Sequence, residues 1–420
     1  MNAPAMLPTQ KAVHGLRFGE FVALMASLMA VNALGIDMML PALGLIGAEL
    51  GITVENHQQL VIAVYIASFG LGQLLYGPLA DRYGRRPILL GAMLVYAAMS
   101  LLAALAHSIE LLLVARAFQG FAAASTRVLS VSIIRDCYAG RTMARVMSLT
   151  FMVFLAVPVL APTLGQLVLL VAPWHWIFYG LAAFSLCVAL WAHQRLPETL
   201  AAADRQSIAL GAMRRAAREI LGDRYSIGYT LAGACLHGGL LGFLNCSPQI
   251  FAHSFGAPQL FTLCFAIIAG MMAGASLLNS RVVERLGSRF VSHGALLGLV
   301  LIDLVRVAIV LGGVETASLF TLTYAASFFL FGLTGPNFGA MAMEPMGHIA
   351  GTASSLQGFI STMIAAAIGL IIGQSFAGTT LPLALGWLLG SLAALAIIFI
   401  AERGRLFRPH HAQPGPPPAQ

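Results

Sequence analysis

Twelve long apolar runs dominate this chain, centred near Ala30, Gly70, Val95, Gly120, Ala156, Ala183, Gly238, Ala269, Val300, Phe329, Ala365 and Ala393. Each approaches the ~20 residues that a helix rising 1.5 Å per residue needs to cross a bilayer core about 30 Å thick. The composition leaves no room for a water-soluble surface: 59% of residues are hydrophobic and 9% charged, against roughly 25% charged in a soluble domain. The runs are too long for strands and do not alternate, which excludes a closed barrel, the other structure that satisfies its backbone in lipid. Lys11 and Arg17 precede the first run, which is too long for a signal-peptide core and lacks a small-residue cleavage site. The expectation is an all-α integral membrane protein of 12 transmembrane helices, the first one retained.

The charges are placed by side. With a cytoplasmic N-terminus, the cytoplasmic loops hold Arg82, Arg85, Arg86, Arg135, Arg141, Arg145, Arg195, Arg205, Arg214, Arg215, Arg218, Arg224, Arg281, Arg285 and Arg289, and the tail adds Arg403, Arg405 and Arg408. The opposite loops hold no Lys or Arg, only Glu49, Glu55, Glu110, Glu315 and a few His. This bias sets orientation and puts both ends in the cytoplasm. The net charge of +7 therefore belongs to membrane topology, and no nucleic-acid partner is expected. The longest polar stretch divides the helices six and six. The organisation read from this is a cytoplasmic segment 1–17, a six-helix bundle 18–193, a cytoplasmic linker 194–225, a second bundle 226–402 and a Pro-rich tail 403–420.

A short charged motif recurs in the two halves. GPLADRYGRRP, Gly77 to Pro87, follows the second run, and SRVVERLGSRF, Ser280 to Phe290, follows the eighth. Asp81, Arg82, Gly84 and Arg86 fall on Glu284, Arg285, Gly287 and Arg289. Duplicated halves with a binding site at their interface are a common transporter plan.

GPLADRYGRRP resembles, at every fixed position, the G-x-L-x-D-R-x-G-R-R loop signature of the major facilitator superfamily. RAFQGFAAAS, with Arg116, Gln119 and Gly120, is similar to the R-x-x-Q-G element of that superfamily's drug exporters. AVPVLAPTLGQ, with Pro158, Pro162 and Gly165, resembles their bent antiporter motif in helix five. IDMMLPAL, IIRDCYAG, VLAPTLG and GTASSLQGF extend a narrower resemblance, to the Bcr/CflA group of bacterial drug exporters, over nearly the whole chain; Met39 stands where that group often has Tyr. The resemblance implies two pseudo-symmetric six-helix bundles, alternating access, and proton-coupled drug efflux across the bacterial inner membrane. It also implies that Asp81 sits against the N-terminus of helix eleven, near Gly351 to Ser354, when the cytoplasmic side is shut. Gly77, Asp81, Arg82, Gly84, Arg85 and Arg86, with Glu284, Arg285, Gly287 and Arg289, are then the gating motif; the alternative for the arginines is that they only set orientation.

Charges within the spans are costly and ask for a reason. Asp37 and Arg116 reach similar depths and are read as the proton-coupling pair: burial opposes a carboxylate's ionisation and a nearby Arg favours it. The alternative is a static ion pair. Arg127, three turns beyond Arg116 and on nearly the same face, either lines a lower cavity or reaches for the membrane surface. Asp303 and Arg306, at i and i+3, neutralise each other. Asn32, Gln119, Arg127, Asn245 and Asn337 are taken as substrate-cavity residues, with interhelical hydrogen bonds as their competing role. Tyr65, Gln73, His237 and Gln249 are further polar groups in the spans that the sequence does not sort. No nucleotide-binding loop or metal-ligand spacing occurs, so neither enzyme activity, cofactor nor metal is expected. The expected partners are protons, the bilayer and a small, largely apolar substrate, handled by a monomer. Transport of a specific metabolite, or a sensor without flux, are the alternative functions.

Overall fold

A computed structural model describes residues 16–54, 56–138, 140–201, 205 and 210–407, with the backbone only at 140, 141, 144, 148, 151–156, 158, 210, 212, 213, 348 and 350. Most of segment 1–17, most of the tail from 403, part of the linker and Glu55 lie outside the described residues. Helices account for nearly all the rest: α1 Phe18–Asp37, α2 Leu43–Glu49, α3 Leu60–Tyr83, α4 Arg85–Ala104, α5 Ile109–Cys137, α6 Gly140–Val171, α7 His175–Arg195, α8 Leu210–Gly222, α9 Arg224–Gln249, α10 Phe261–Leu286, α11 Ser288–Leu311, α12 Ala317–Met343, α13 Ala350–Gln374 and α14 Leu381–Ala401. No strand occurs among the described residues.

Eleven segments are long and apolar enough to cross a membrane, and the 32-residue α6 makes the twelfth long helix. Each spanning helix corresponds to one apolar run. α2 is not a separate span. Pro41 lacks the backbone N–H that would continue α1, so the chain passes through a 3₁₀ turn, Leu40–Ala42, and resumes as α2. Asp37 is the last residue of α1, immediately before this break. α8 lies in the linker. Its Arg214, Arg215, Arg218 and Glu219 are exposed, while Ile220 packs with Met346 and Ala353 at the start of α13.

The helices form two bundles of six, α1 and α3–α7 in the N-half and α9–α14 in the C-half. The halves meet along α3 against α13 and along α6 against α10. Without a hydrophobic drive between helices in lipid, close backbone approach supplies the packing. A Cβ on Gly120 of α5 would collide with the Tyr65 carbonyl of α3, and one on Gly165 of α6 would collide with the Met38 carbonyl at the α1 break. α6 runs as one helix through Pro158, Pro162 and Gly165. Gly165 is what lets it lie against the interruption in α1.

One end of the bundles carries the arginines, which we call the basic face. The opposite end, with Glu49, Glu110 and Glu315, is the acidic face.

Candidate functional site: an intramembrane polar core between two gates

Arg116 is fully buried in the N-half. Its Nε donates to the Val61 carbonyl at 3.1 Å, Nη2 to the Gly35 carbonyl at 3.0 Å and Nη1 to Gln119 Oε1 at 2.6 Å. The guanidinium lies 4.2 Å from the Tyr65 ring centre. Gln119 Nε2 passes the network on to Ser100 Oγ at 2.6 Å. Tyr65 donates to Asn32 Oδ1 at 3.2 Å and Tyr96 to the Val31 carbonyl at 3.2 Å. α1, α3, α4 and α5 are thus tied together around one buried charge.

Asp37 lies two residues beyond the Gly35 carbonyl that Arg116 holds, and is 4% exposed. The two residues form no ion pair. Asp37 makes neither hydrogen bond nor ion pair with a described residue. The counter-charge reading of this pair is therefore corrected for this conformer: neutral carbonyls and an amide satisfy Arg116, and the carboxyl beside it stands apart. Its place at the C-terminal end of α1, among outward-pointing carbonyls, does nothing to favour a negative charge.

The remaining cavity residues divide. Gln119 is spent on Arg116 and Ser100; Asn245 donates to the Gly369 carbonyl at 3.0 Å; Asn337 donates to Asn279 Oδ1 at 2.8 Å; Asn32 accepts from Tyr65. All four are buried and bind helix to helix rather than lining open space. Arg127 alone of the five is exposed, and it makes no hydrogen bond or ion pair with a described residue. In the C-half, Arg306 pairs with Asp303 at 2.9 Å, stacks 3.8 Å from the Tyr324 ring centre and donates to the Thr323 carbonyl. That pair is fully buried and self-contained.

At the basic face, Gly84 and Gly287 take φ of 103° and 82°, a region that favours glycine, and each makes the sharp corner between two helices. Glu198 caps α4, accepting from the backbone N–H groups of Arg85 and Arg86 at 2.9 and 3.2 Å. Arg85 pairs with Asp81 at 2.5 Å and with Asp136 at 3.1 Å. Arg86 donates to the His193 carbonyl. In the second copy Arg289 pairs with Glu402 at 2.9 Å and Glu344 at 3.4 Å. Arg86 and Arg289 thus each reach the last helix of their own half. Arg82, Glu284 and Arg285 are exposed. Gly77 faces Ser355 on α13. Asp81 itself is 44% exposed and makes no hydrogen bond or ion pair with a described residue of α13; Arg135 approaches Gly351 there. α13 begins without a side-chain cap.

The acidic face carries a feature that the sequence reading missed. Asn56 Nδ2 donates to the Phe376 carbonyl at 2.9 Å, Gln374 Nε2 to the Asn56 carbonyl at 3.0 Å and Gln249 Nε2 to Asn56 Oδ1 at 3.1 Å, while Gln59 bonds Gln249. These bonds join N-half to C-half, whereas every ion pair among the described residues stays within one half. The conformer is sewn at its acidic end, and among the described residues no ion pair joins the halves at its basic end. Uncharged amides at the acidic ends of α3, α9 and α13 were the available signal.

A family model described as Major Facilitator Superfamily matches residues 25–370. This chain belongs to that superfamily. It is 31% identical over 362 residues to a chloramphenicol resistance protein of Pseudomonas aeruginosa, covering 84% of this chain and 83% of that one. It is 27% identical over 393 residues to a bicyclomycin resistance protein homolog of Haemophilus influenzae, covering 91% and 96%. Among solved structures, a D-xylose–proton symporter superposes with a TM-score of 0.71 at 14% identity, covering 92% of this chain and 98% of that one, which shows a shared fold. The superfamily member described here is a multi-span membrane transporter.

Proposed function

We propose that this transporter exports small, largely apolar compounds in exchange for protons, as a Bcr/CflA-type drug:proton antiporter of the bacterial inner membrane. The asymmetric arginines favour a cytoplasmic basic face with both termini on that side. The resistance proteins it is similar to support efflux as the direction. One observation carries the coupling mechanism: a buried carboxyl, Asp37, lies at a helix break two residues beyond the Gly35 carbonyl that Arg116 holds, without a charge partner among the described residues. Arg116 is held by neutral acceptors it can exchange. When it leaves the Gly35 carbonyl for Asp37, the carboxyl gains a counter-charge and gives up its proton; when it returns, Asp37 takes a proton again. Because Gly35 and Asp37 belong to α1 and Arg116 to α5, that exchange moves helices of the N-half relative to each other.

The test uses proteoliposomes with an imposed pH gradient and a panel of hydrophobic antibiotics. Wild type should accumulate substrate against its gradient. Asp37→Asn, uncharged and nearly the same shape, should lose uphill transport and substrate-induced proton release while keeping substrate binding. Uphill transport and proton release persisting in Asp37→Asn would remove Asp37 from the mechanism.

A further inference from the structure

Three arginines lie deep within spanning helices: Arg116, Arg127 and Arg306. Placing such a charge in the membrane is costly, so each needs its charge satisfied. Arg116 and Arg306 are fully buried and have their donors occupied by carbonyls, an amide, hydroxyls or Asp303. Arg127 has no such partner among the described residues, yet it is exposed. It sits roughly 15 Å from the basic end of α5 at 1.5 Å per residue, too deep for that exposure to be the outer surface of a basic loop.

In the other half, His237 of α9 is also exposed and within electrostatic range of Arg127. His237 Nδ1 bonds the Gly233 carbonyl at 2.9 Å, which fixes the ring and leaves Nε2 without a hydrogen-bond partner among the described residues. The Phe331 ring stands edge-on to it, 5.0 Å between centres, as an apolar wall. Above it, the Asn56 network ties the two halves together at the acidic face. No acid balances it: Asp37 and Asp303 are the only acids deep in the spans, and Asp303 is taken by Arg306.

We propose that Arg127 and His237 form an anion subsite in the central cavity, and that the transported compounds include ones with an apolar body and a single carboxylate or related oxyanion. The planar guanidinium fork matches a carboxylate in two-point fashion. With Nδ1 already donating to the Gly233 carbonyl, the imidazole takes a proton from water on Nε2 and donates it to the same group from the other half. An anion held by both residues ties N-half to C-half at mid-depth, where no ion pair does so without it. This assignment deepens the efflux reading and rests on it for the word transported; the binding itself is tested independently.

The experiment measures thermal unfolding of the purified full-length protein in detergent with benzoate, 1-naphthoate and 4-phenylbutyrate, each beside its neutral carboxamide. Carboxylates should stabilise wild type at concentrations where the amides do not. Arg127→Gln, which removes no internal bond, should unfold like wild type without ligand and bind the carboxylates about tenfold more weakly, as loss of a charge-assisted contact implies. Arg127→Lys should keep part of the preference, and His237→Gln should weaken it. Asp37→Asn should keep it in full. If no carboxylate in the panel stabilises wild type in preference to its amide, or if Arg127→Gln keeps the preference, the subsite is overturned. Failure of uphill efflux in wild type with the preference intact would instead overturn proton coupling and leave the subsite standing.

Discussion

Arg116 shows how one residue holds both a structural and a mechanistic place. Three of its donors reach α1, α3 and its own helix, and Tyr65 covers its face. Truncation to Ala would strand the Gly35 carbonyl and Gln119 Oε1, and each buried unsatisfied group costs about 1–3 kcal/mol. Arg116→Ala should therefore lower the unfolding temperature by several degrees and abolish binding and transport together, read by thermal unfolding and by substrate binding in detergent. Arg116→Lys should recover little, since one ammonium cannot replace a planar fork with fixed geometry. A variant that folds with wild-type stability and loses only transport would show that the network is dispensable to the fold. Asp37→Asn breaks no bond in this conformer and should leave the unfolding temperature unchanged, so the two variants separate scaffolding from coupling.

At the scale of elements, apolar run length was enough to find the twelve long helices, eleven of them apolar enough to cross a membrane, because lipid demands one physical solution for each run. The interruption at Pro41 followed from a missing N–H, but its partner did not. Gly165 is 124 residues away, and only the packed bundle shows that α6 closes on the Met38 carbonyl. Gly165→Val would push α6 off the α1 break, a backbone collision that a rotamer change cannot relieve. It should reduce folded yield or, where protein is recovered, abolish transport, while Gly19→Val at an open position serves as control. Normal yield and flux from Gly165→Val would mean that α6 does not rest on the break. Site residues were legible by type and illegible by direction. Asn245 and Asn337 look the same in sequence as cavity-lining amides, yet they face neighbouring helices. Arg127 acquires its meaning from His237, which belongs to the other half and to no motif shared with it.

The whole molecule is a balance between its two ends, and hydrogen bonds between the halves hold the acidic one here. Asn56, held at a φ of 67°, takes part in bonds to Phe376, Gln374 and Gln249 that close the acidic end. At the basic end Asp81 is engaged with Arg85, and the first turn of α13 has neither cap nor acid. A helix start with free N–H groups attracts a carboxylate by up to about 2 kcal/mol when partly buried. The gating reading thus becomes a proposal with a defined motion. As the acidic gate opens, α3 tilts, Asp81 exchanges Arg85 for the start of α13, and Arg135 gives way. The two gates then predict opposite phenotypes. Asn56→Ala removes the centre of the acidic seal. With each lost hydrogen bond worth roughly 0.5–1.5 kcal/mol, it should shift the equilibrium several-fold or more toward the conformer closed at the basic face. Asp81→Asn weakens the other closure and should shift it back. Spin labels on Cys at Thr53 and Thr379, in a background lacking the five native cysteines, report the acidic gate. Their separation should lengthen in Asn56→Ala, stay short in Asp81→Asn, and return toward wild type in the double variant, because both substitutions act on one equilibrium. Labelling of a Cys at Ser355 from the basic side should follow the reverse order. Distances that ignore Asp81 when Asn56 is changed would show that the two ends move independently, and the latch would lose its role in alternating access.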